Sequence, residues 1–200
     1  MKKIENEYNE LYGKISKDNL TRVQNFLSET KFNNKNRSLI FTMINKILNI
    51  KFKRVDFTIY LVPKATPRPR HNIKKNTFYV VGAKDNKDIF KYFISNHNLE
   101  LITTPCKFYC TSYLPIPKSM NNVEKLLAEL GLIRPISKPD WDNVGKTYSD
   151  MIQGMLLFDD SLIIEGVSKK FYSLKPRIEI SIEYMEEFDS IYNEKKLERR

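Results

Sequence analysis

The chemistry this sequence can be read for sits in Lys138-Pro139-Asp140-Trp141-Asp142-Asn143-Val144-Gly145-Lys146 and in the pair Asp159-Asp160 that follows. Carboxylates gathered in one place repel unless something positive lies between them. Oxygen-only sets of this kind suit Mg²⁺ or Mn²⁺. The chain around them is basic, with a formal net charge of +10. A small acidic island in a basic chain is the expected signature of metal-dependent phosphodiester chemistry, because a metal can bridge carboxylate and phosphate.

Taken alone, Asp140 is an ordinary acid at a helix start, where the positive helix end favours it. The set says more. Lys146 stands one helical turn after Asp142 and on the same face. It is either a surface ion pair, worth roughly a few tenths of a kcal/mol, or a cation able to contact a scissile phosphate or a leaving oxygen. Asn143 can orient a carboxylate or a water. Asp150 shares the face of Asp142 and reads as structural or supporting. Trp141 reads as a packing residue and His97 as a helix-end residue. A calcium loop starting at Asp140 fails on counting. Val144 stands at its fifth position and Met151 at its twelfth, where a bidentate Glu is required.

These side chains need elements to carry them. Residues 142–155 read as a helix, with Val144, Tyr148, Met151, Ile152 and Met155 apolar. Asp159-Asp160 fall in a turn leading into a strand, and they meet the first acids only if that connection folds back over the helix. Strands are expected at 55–61, 77–81, 106–114, 162–171 and 177–184, from alternation such as Ile178, Ile180 and Ile182 against Glu179, Ser181 and Glu183. Helices are expected at 88–96 and 119–130. The second has Asn121 and Glu124 in capping-box spacing, Met120, Val123, Leu126, Leu127 and Leu130 inward, and Gly131 as its stop. The fold class is α+β: a small mixed sheet with helices packed on one face, plus an N-terminal helical appendage. The domains run 1–50 for a helical extension, 51–185 for the main domain and 186–200 for a polar tail.

The positive charge is concentrated. Between Lys51 and Asn76 there are eight basic residues against one acid, Asp56. Pro63, Pro67 and Pro69 hold the start of this arm extended. Arg68, Arg70, His71, Lys74 and Lys75 then read as a phosphate-contacting surface for a polyanion such as nucleic acid, since guanidinium groups fork onto phosphate well.

Other classes drop out. The six glycines argue against a glycine-rich nucleotide cradle. No apolar run approaches the roughly 20 residues of a membrane span, and the first residues lack the apolar core of a secretory signal. Cys106 and Cys110 lie four apart on an expected strand, too distant to bond. An intracellular, cytoplasmic protein is expected, associated with the nucleoid when on DNA.

Asp140-x-Asp142-Asn143-x-x-Lys146, then Asp159-Asp160-Ser161-x-Ile163 and a strand holding Pro176-Arg177-Ile178-Glu179-Ile180, resemble the RusA family of Holliday-junction resolvases, often encoded by phages and prophages. The strand followed by Pro67-Arg68-Pro69-Arg70-His71 suits that family's N-terminal strand and basic loop. The resemblance spans about 55–184; residues 1–50 and the helical segment at 118–136 are additions to it. It implies a homodimeric, Mg²⁺-dependent endonuclease that nicks two strands of a four-way junction in recombination and repair. Asp140, Asp142 and Asp160 would be the metal-binding catalytic acids and Lys146 the catalytic lysine, with Asn143 and Asp159 supporting. No organic cofactor and no membrane partner are implied. The alternatives are a metal nuclease for another branched DNA, or a junction-binding protein that does not cut.

Overall fold

The computed structural model describes residues 51–65, 70–72, 77–79 and 86–186, with the backbone alone at 70–72 and 77–79, and the positions Thr21, Arg22 and Asn25. The remainder of the expected 1–50 helices and the tail beyond Glu186 lie outside the described residues. Phe52–Glu186 form one compact unit.

The unit is built on a four-stranded sheet. Its strands are β1 (Phe52–Ile59), β4 (Cys106–Pro115), β5 (Ile163–Ser173) and β6 (Arg177–Met185). Their order across the sheet is β1-β6-β4-β5. β6 pairs antiparallel with both β1 and β4, while β4 and β5 pair parallel. The sheet is therefore mixed, as expected. A parallel pair needs a long crossover, and here that crossover carries α2 (Asn122–Glu129) and α3 (Trp141–Ile152). A third helix, α1 (Lys87–Asn96), precedes β4. Apart from the sheet, β2 (Arg70–Asn72) and β3 (Thr77–Tyr79) pair as a two-stranded antiparallel ribbon.

Period-two alternation gives the sheet two unlike faces. Phe57, Ile59, Cys106, Phe108, Cys110, Ile178, Ile180 and Ile182 point to one side and are buried. Against them lie Val144, Tyr148, Met151 and Ile152 of α3, with Phe90 and Ile94 of α1. Burying each such Ile or Phe contributes roughly 1.5–3 kcal/mol. The other side is polar: Arg54 pairs with Asp56 at 2.8 Å and with Glu183 at 3.2 Å. Cys106 and Cys110 are buried and free, and burial pushes both thiols up to about 12.

The capping box at α2 is present in both directions, Glu124 N to Asn121 Oδ1 at 3.0 Å and Asn121 N to Glu124 Oε2 at 2.8 Å. Gly131, at φ +77°, ends the helix region in the left-handed conformation glycine tolerates. The expected inward face of α2 is corrected, however. Val123, Leu126 and Leu130 are 66%, 64% and 74% exposed, and Ala128 is the buried residue. Helical periodicity shows that an apolar stripe exists, not what it lies against. Trp141, expected to pack, is also mainly exposed.

Candidate functional site

Helix α3 is amphipathic in a way that sorts its chemistry. Val144, Tyr148, Met151 and Ile152 are buried, whereas Asp142, Lys146 and Asp150, at four-residue spacing, are exposed. The core thus fixes the helix, and the helix fixes the charged row. Asp140 is its N-cap residue, extended at φ −67° and ψ 146°, and its side chain makes no capping bond. The lead-in is clamped from the sheet: Lys170 Nζ donates to Ser137 O at 2.9 Å and Pro139 O at 2.8 Å. Arg134 braces that lysine's strand, donating to Lys170 O at 3.0 Å and lying over the Phe171 ring.

The fold-back that the acids require is supplied by the connection after α3. Gly154, at φ +74°, turns the chain, and its N–H reaches Leu157 O at 2.7 Å. Leu156 and Leu157 are fully buried, and Phe158 N donates to Ile102 O at 3.0 Å. Anchored this way, the chain delivers Asp160 alongside α3 at the start of a short 3-10 turn, Asp160–Leu162, that feeds β5.

The two adjacent acids then part company. Asp159 is 4% exposed. Its carboxylate accepts from Ser161 N at 3.0 Å, from the Ser161 hydroxyl, and from Gln153 Nε2 at 3.3 Å. It caps and closes the turn. Asp160 faces outward, with its Oδ2 3.9 Å from Lys146 Nζ. The same ammonium lies 3.6 Å from Asp150 Oδ1.

Asp142 and Lys146 border a cavity of about 240 Å³ between α3 and β5, floored by Gly145, Gly166 and Ser168. The floor is low because its residues are small. A Cβ on Gly145 would lie 3.3 Å from Ser168 Cβ, a contact tighter than side chains normally tolerate. Helix and strand approach closely here.

The structure therefore brings Asp142, Lys146, Asp150 and Asp160 along one flank, with Asp140 at the helix start. Asn143 is half-buried on the first turn, and its carbonyl accepts from Thr147 Oγ1 at 2.7 Å. Among the described residues, no three His, Cys, Asp or Glu side chains are gathered as a ready-made metal cage. The expected donors Asp140, Asp142 and Asp160 are all oxygen, and the Lys146 ammonium rests beside one of them, Asp160, and beside Asp150. Mg²⁺ is commonly held by one or two carboxylates with waters and substrate phosphates completing its shell. An open site of that type asks for no more than one or two of these carboxylates.

Of the DNA-contact candidates, Arg70 and His71 fall on β2, opposite Tyr79 and Phe78. Their side chains, and Arg68, Lys74 and Lys75 entirely, lie outside the described residues. His97 caps the end of α1, as expected, with Nδ1 2.8 Å from Phe93 O. Sequence reasoning undervalues Asp150, whose spacing to Lys146 is the available signal. It has no signal for the Lys170 clamp or for Tyr148, whose hydroxyl accepts the backbone N–H of Lys64 at 3.1 Å. Burial pushes that phenol up to about 12, against the opposite pull of the Lys64 bond.

No helix among the described residues is long and apolar enough to cross a membrane. A family model described as "Endodeoxyribonuclease RusA" matches residues 61–183. That interval holds the basic arm from Leu61 onward, the whole of α3 and the Asp159-Asp160 turn. A protein of Bacillus subtilis (strain 168) named "Uncharacterized protein YqaN" is 36% identical over 135 residues. The aligned stretch covers 64% of this chain and 94% of that protein.

Proposed function

The chain belongs to the RusA family of endodeoxyribonucleases, and we propose that it is a Mg²⁺-dependent, structure-specific nuclease that resolves four-way DNA junctions by paired nicks. The observation that carries this reading is the Lys146 ammonium poised between Asp150 and Asp160, beside a cavity that Asp142 borders. In it, Asp140, Asp142 and Asp160 would hold the metal, with Mn²⁺ an acceptable substitute. A divalent ion at a phosphodiester supplies an activated water and neutralises phosphate charge.

The protein's own groups do the rest. Lys146 reaches the cavity mouth, where an ammonium stabilises the oxygen that gains charge as the P–O bond breaks. Asp159 holds the turn that presents Asp160, and Asn143 orients a carboxylate or a water at the site. The basic arm grips the DNA backbone, with little base readout. One site per chain cutting two strands of a symmetric junction calls for two copies related by a two-fold axis, hence a homodimer. Within this reading, 51–185 is the nuclease domain, 1–50 an added extension and 186–200 a tail.

The test is cleavage of a synthetic four-way junction beside linear duplex of the same sequence, with and without Mg²⁺. Paired nicks in the junction alone, and only with metal, support the reading. Equal cutting of the linear duplex would make the chain a general nuclease. Tight junction binding with no cutting would make it a binding protein.

A further inference from the structure

Helix α3 presents its charged row outward, but one polar group on its buried face reaches elsewhere. Tyr148, fully buried, lies between Lys146 and Asp150 in sequence and on the opposite side of the helix. Its ring stacks against Phe90 at 5.7 Å between centroids. For packing alone, a Phe would serve. A buried tyrosine hydroxyl needs a partner, and the partner here is the backbone N–H of Lys64, 84 residues away in sequence.

The location of Lys64 gives this bond its meaning. After β1 the chain stays on the core as far as Leu61, which packs against it, and Pro63, which is buried. Proline has no N–H to offer. The next residue, Lys64, is the first whose main chain is hydrogen-bonded to α3, while its own side chain is exposed. Beyond it come the ribbon of β2 and β3 and the basic residues at its start. Because the bond takes a main-chain donor, it fixes the path of the chain whatever side chain stands at 64.

We propose that Tyr148 is a positioning residue: it pins the point where the basic arm leaves the domain to the same helix that carries Asp142 and Lys146. The exit point of the arm at Lys64 is thereby held at a fixed distance from the acidic row, so that a DNA backbone gripped by the arm is led towards the site from a set position. The inference rests on the nuclease reading for its DNA half, and on geometry alone for the tie itself.

The test uses the full chain and Tyr148→Phe, which keeps the ring and removes the hydroxyl. Amide exchange at Lys64, followed by NMR, reports the tie without DNA. Affinity for a four-way junction and single-turnover cleavage at saturating junction and Mg²⁺ report its use. Faster exchange at Lys64 is expected, with junction affinity weakened by about three- to tenfold, the worth of one hydrogen bond. Cleavage at saturation should stay within about twofold, the pattern of lost positioning rather than lost chemistry. A second pair approaches from the exposed side. Lys64→Ala keeps the N–H and Lys64→Pro removes it, so the extra loss in the proline variant isolates the bond. Unchanged exchange, unchanged junction affinity, or a fall in saturated rate that merely tracks thermal stability would each overturn the proposal. If the parent chain neither binds nor cuts a junction, the nuclease reading fails, and exchange at Lys64 still decides the tie separately.

Discussion

The acidic flank and the basic arm both face DNA in the proposed function, yet they are held in opposite ways. Asp142, Lys146 and Asp150 ride on a helix whose other face is buried in the core, and Asp160 is delivered by a turn anchored through Leu156, Leu157 and the capping carboxylate of Asp159. The arm leaves the core after Pro63, and of its basic residues Arg70 and His71 fall on a three-residue strand, β2, paired with β3 alone. The difference follows the physics each job demands. Groups that act on a reacting phosphorus must sit within a fraction of an ångström of their places, and regular elements packed on a core provide that. Attraction to the phosphate backbone acts over about a Debye length, roughly 8 Å at physiological salt, and tolerates a looser mount.

The largest effect should come from the flank. Asp142→Asn preserves size and removes a charge, so cleavage should fall to background while junction affinity holds or rises, because repulsion between carboxylate and phosphate falls. Both are measured on one junction. A variant that cuts at the parental rate would remove Asp142 from the metal-binding set. The adjacent acids sharpen the same point. Asp160→Asn should abolish cutting and leave the fold intact. Asp159→Asn disturbs a buried carboxylate with several hydrogen bonds and should lower thermal stability first. Equal behaviour of the two would erase the division of roles that the turn imposes.

Next in size is Lys146→Ala. A cation stabilising charge that develops in the transition state is worth on the order of 10²–10³ in rate, by analogy with single oxyanion-hole donors. Single-turnover cleavage at saturating enzyme should slow by that order, with folding unchanged. Lys146→Arg should also be impaired, since a planar fork does not reproduce a compact ammonium. Cutting within a few-fold of the parent would return Lys146 to the status of a surface pair.

The arm should respond differently. Arg68→Ala with Arg70→Ala should weaken junction binding and lower the salt dependence by roughly 0.9 for each phosphate no longer neutralised, leaving metal affinity alone. An unchanged salt slope would make the arm an ordinary solvated loop and remove one side of the comparison.

The flank is also the more legible region. The spacing of Asp140, Asp142 and Lys146, the apolar run Val144, Tyr148, Met151 and Ile152, and the box of Asn121 and Glu124 are local patterns, and local patterns are what a sequence displays. The chain's return to Lys146 is only conditional in the sequence, because it depends on how Leu156 and Leu157 are buried. The roles of Asp159 and Asp160 are not separable there, since identical neighbours differ only through the backbone turn that aims them. The stripe on α2 reads as facing inward and does not, because periodicity carries no information about the partner surface. The bond from Tyr148 to Lys64 is invisible, as it joins a side chain to a main-chain group across most of the unit.

The smallest expected effect tests how much of the charged row belongs to the site. Lys146 is shared: its ammonium is 3.6 Å from Asp150 and 3.9 Å from Asp160, and all three side chains are substantially exposed. Pairs in such surroundings are screened, and each contributes about 0–1 kcal/mol. Removing Asp150 therefore leaves Lys146 with Asp160 and costs the fold little. Its effect on rate enters only through where the ammonium rests. With Asp150 present, the lysine has a second place to stand when a metal takes Asp160; without it, the lysine leans on Asp160 and competes with that metal. Asp150→Asn should accordingly weaken Mn²⁺ binding by about two- to fivefold, read by calorimetry in the absence of DNA, in line with the loss of one screened pair. At saturating metal the cleavage rate should recover to near the parental value. A loss at saturation as deep as that of Lys146→Ala would instead place Asp150 among the groups that act on the phosphate, and would extend the precisely mounted region by one more turn of α3.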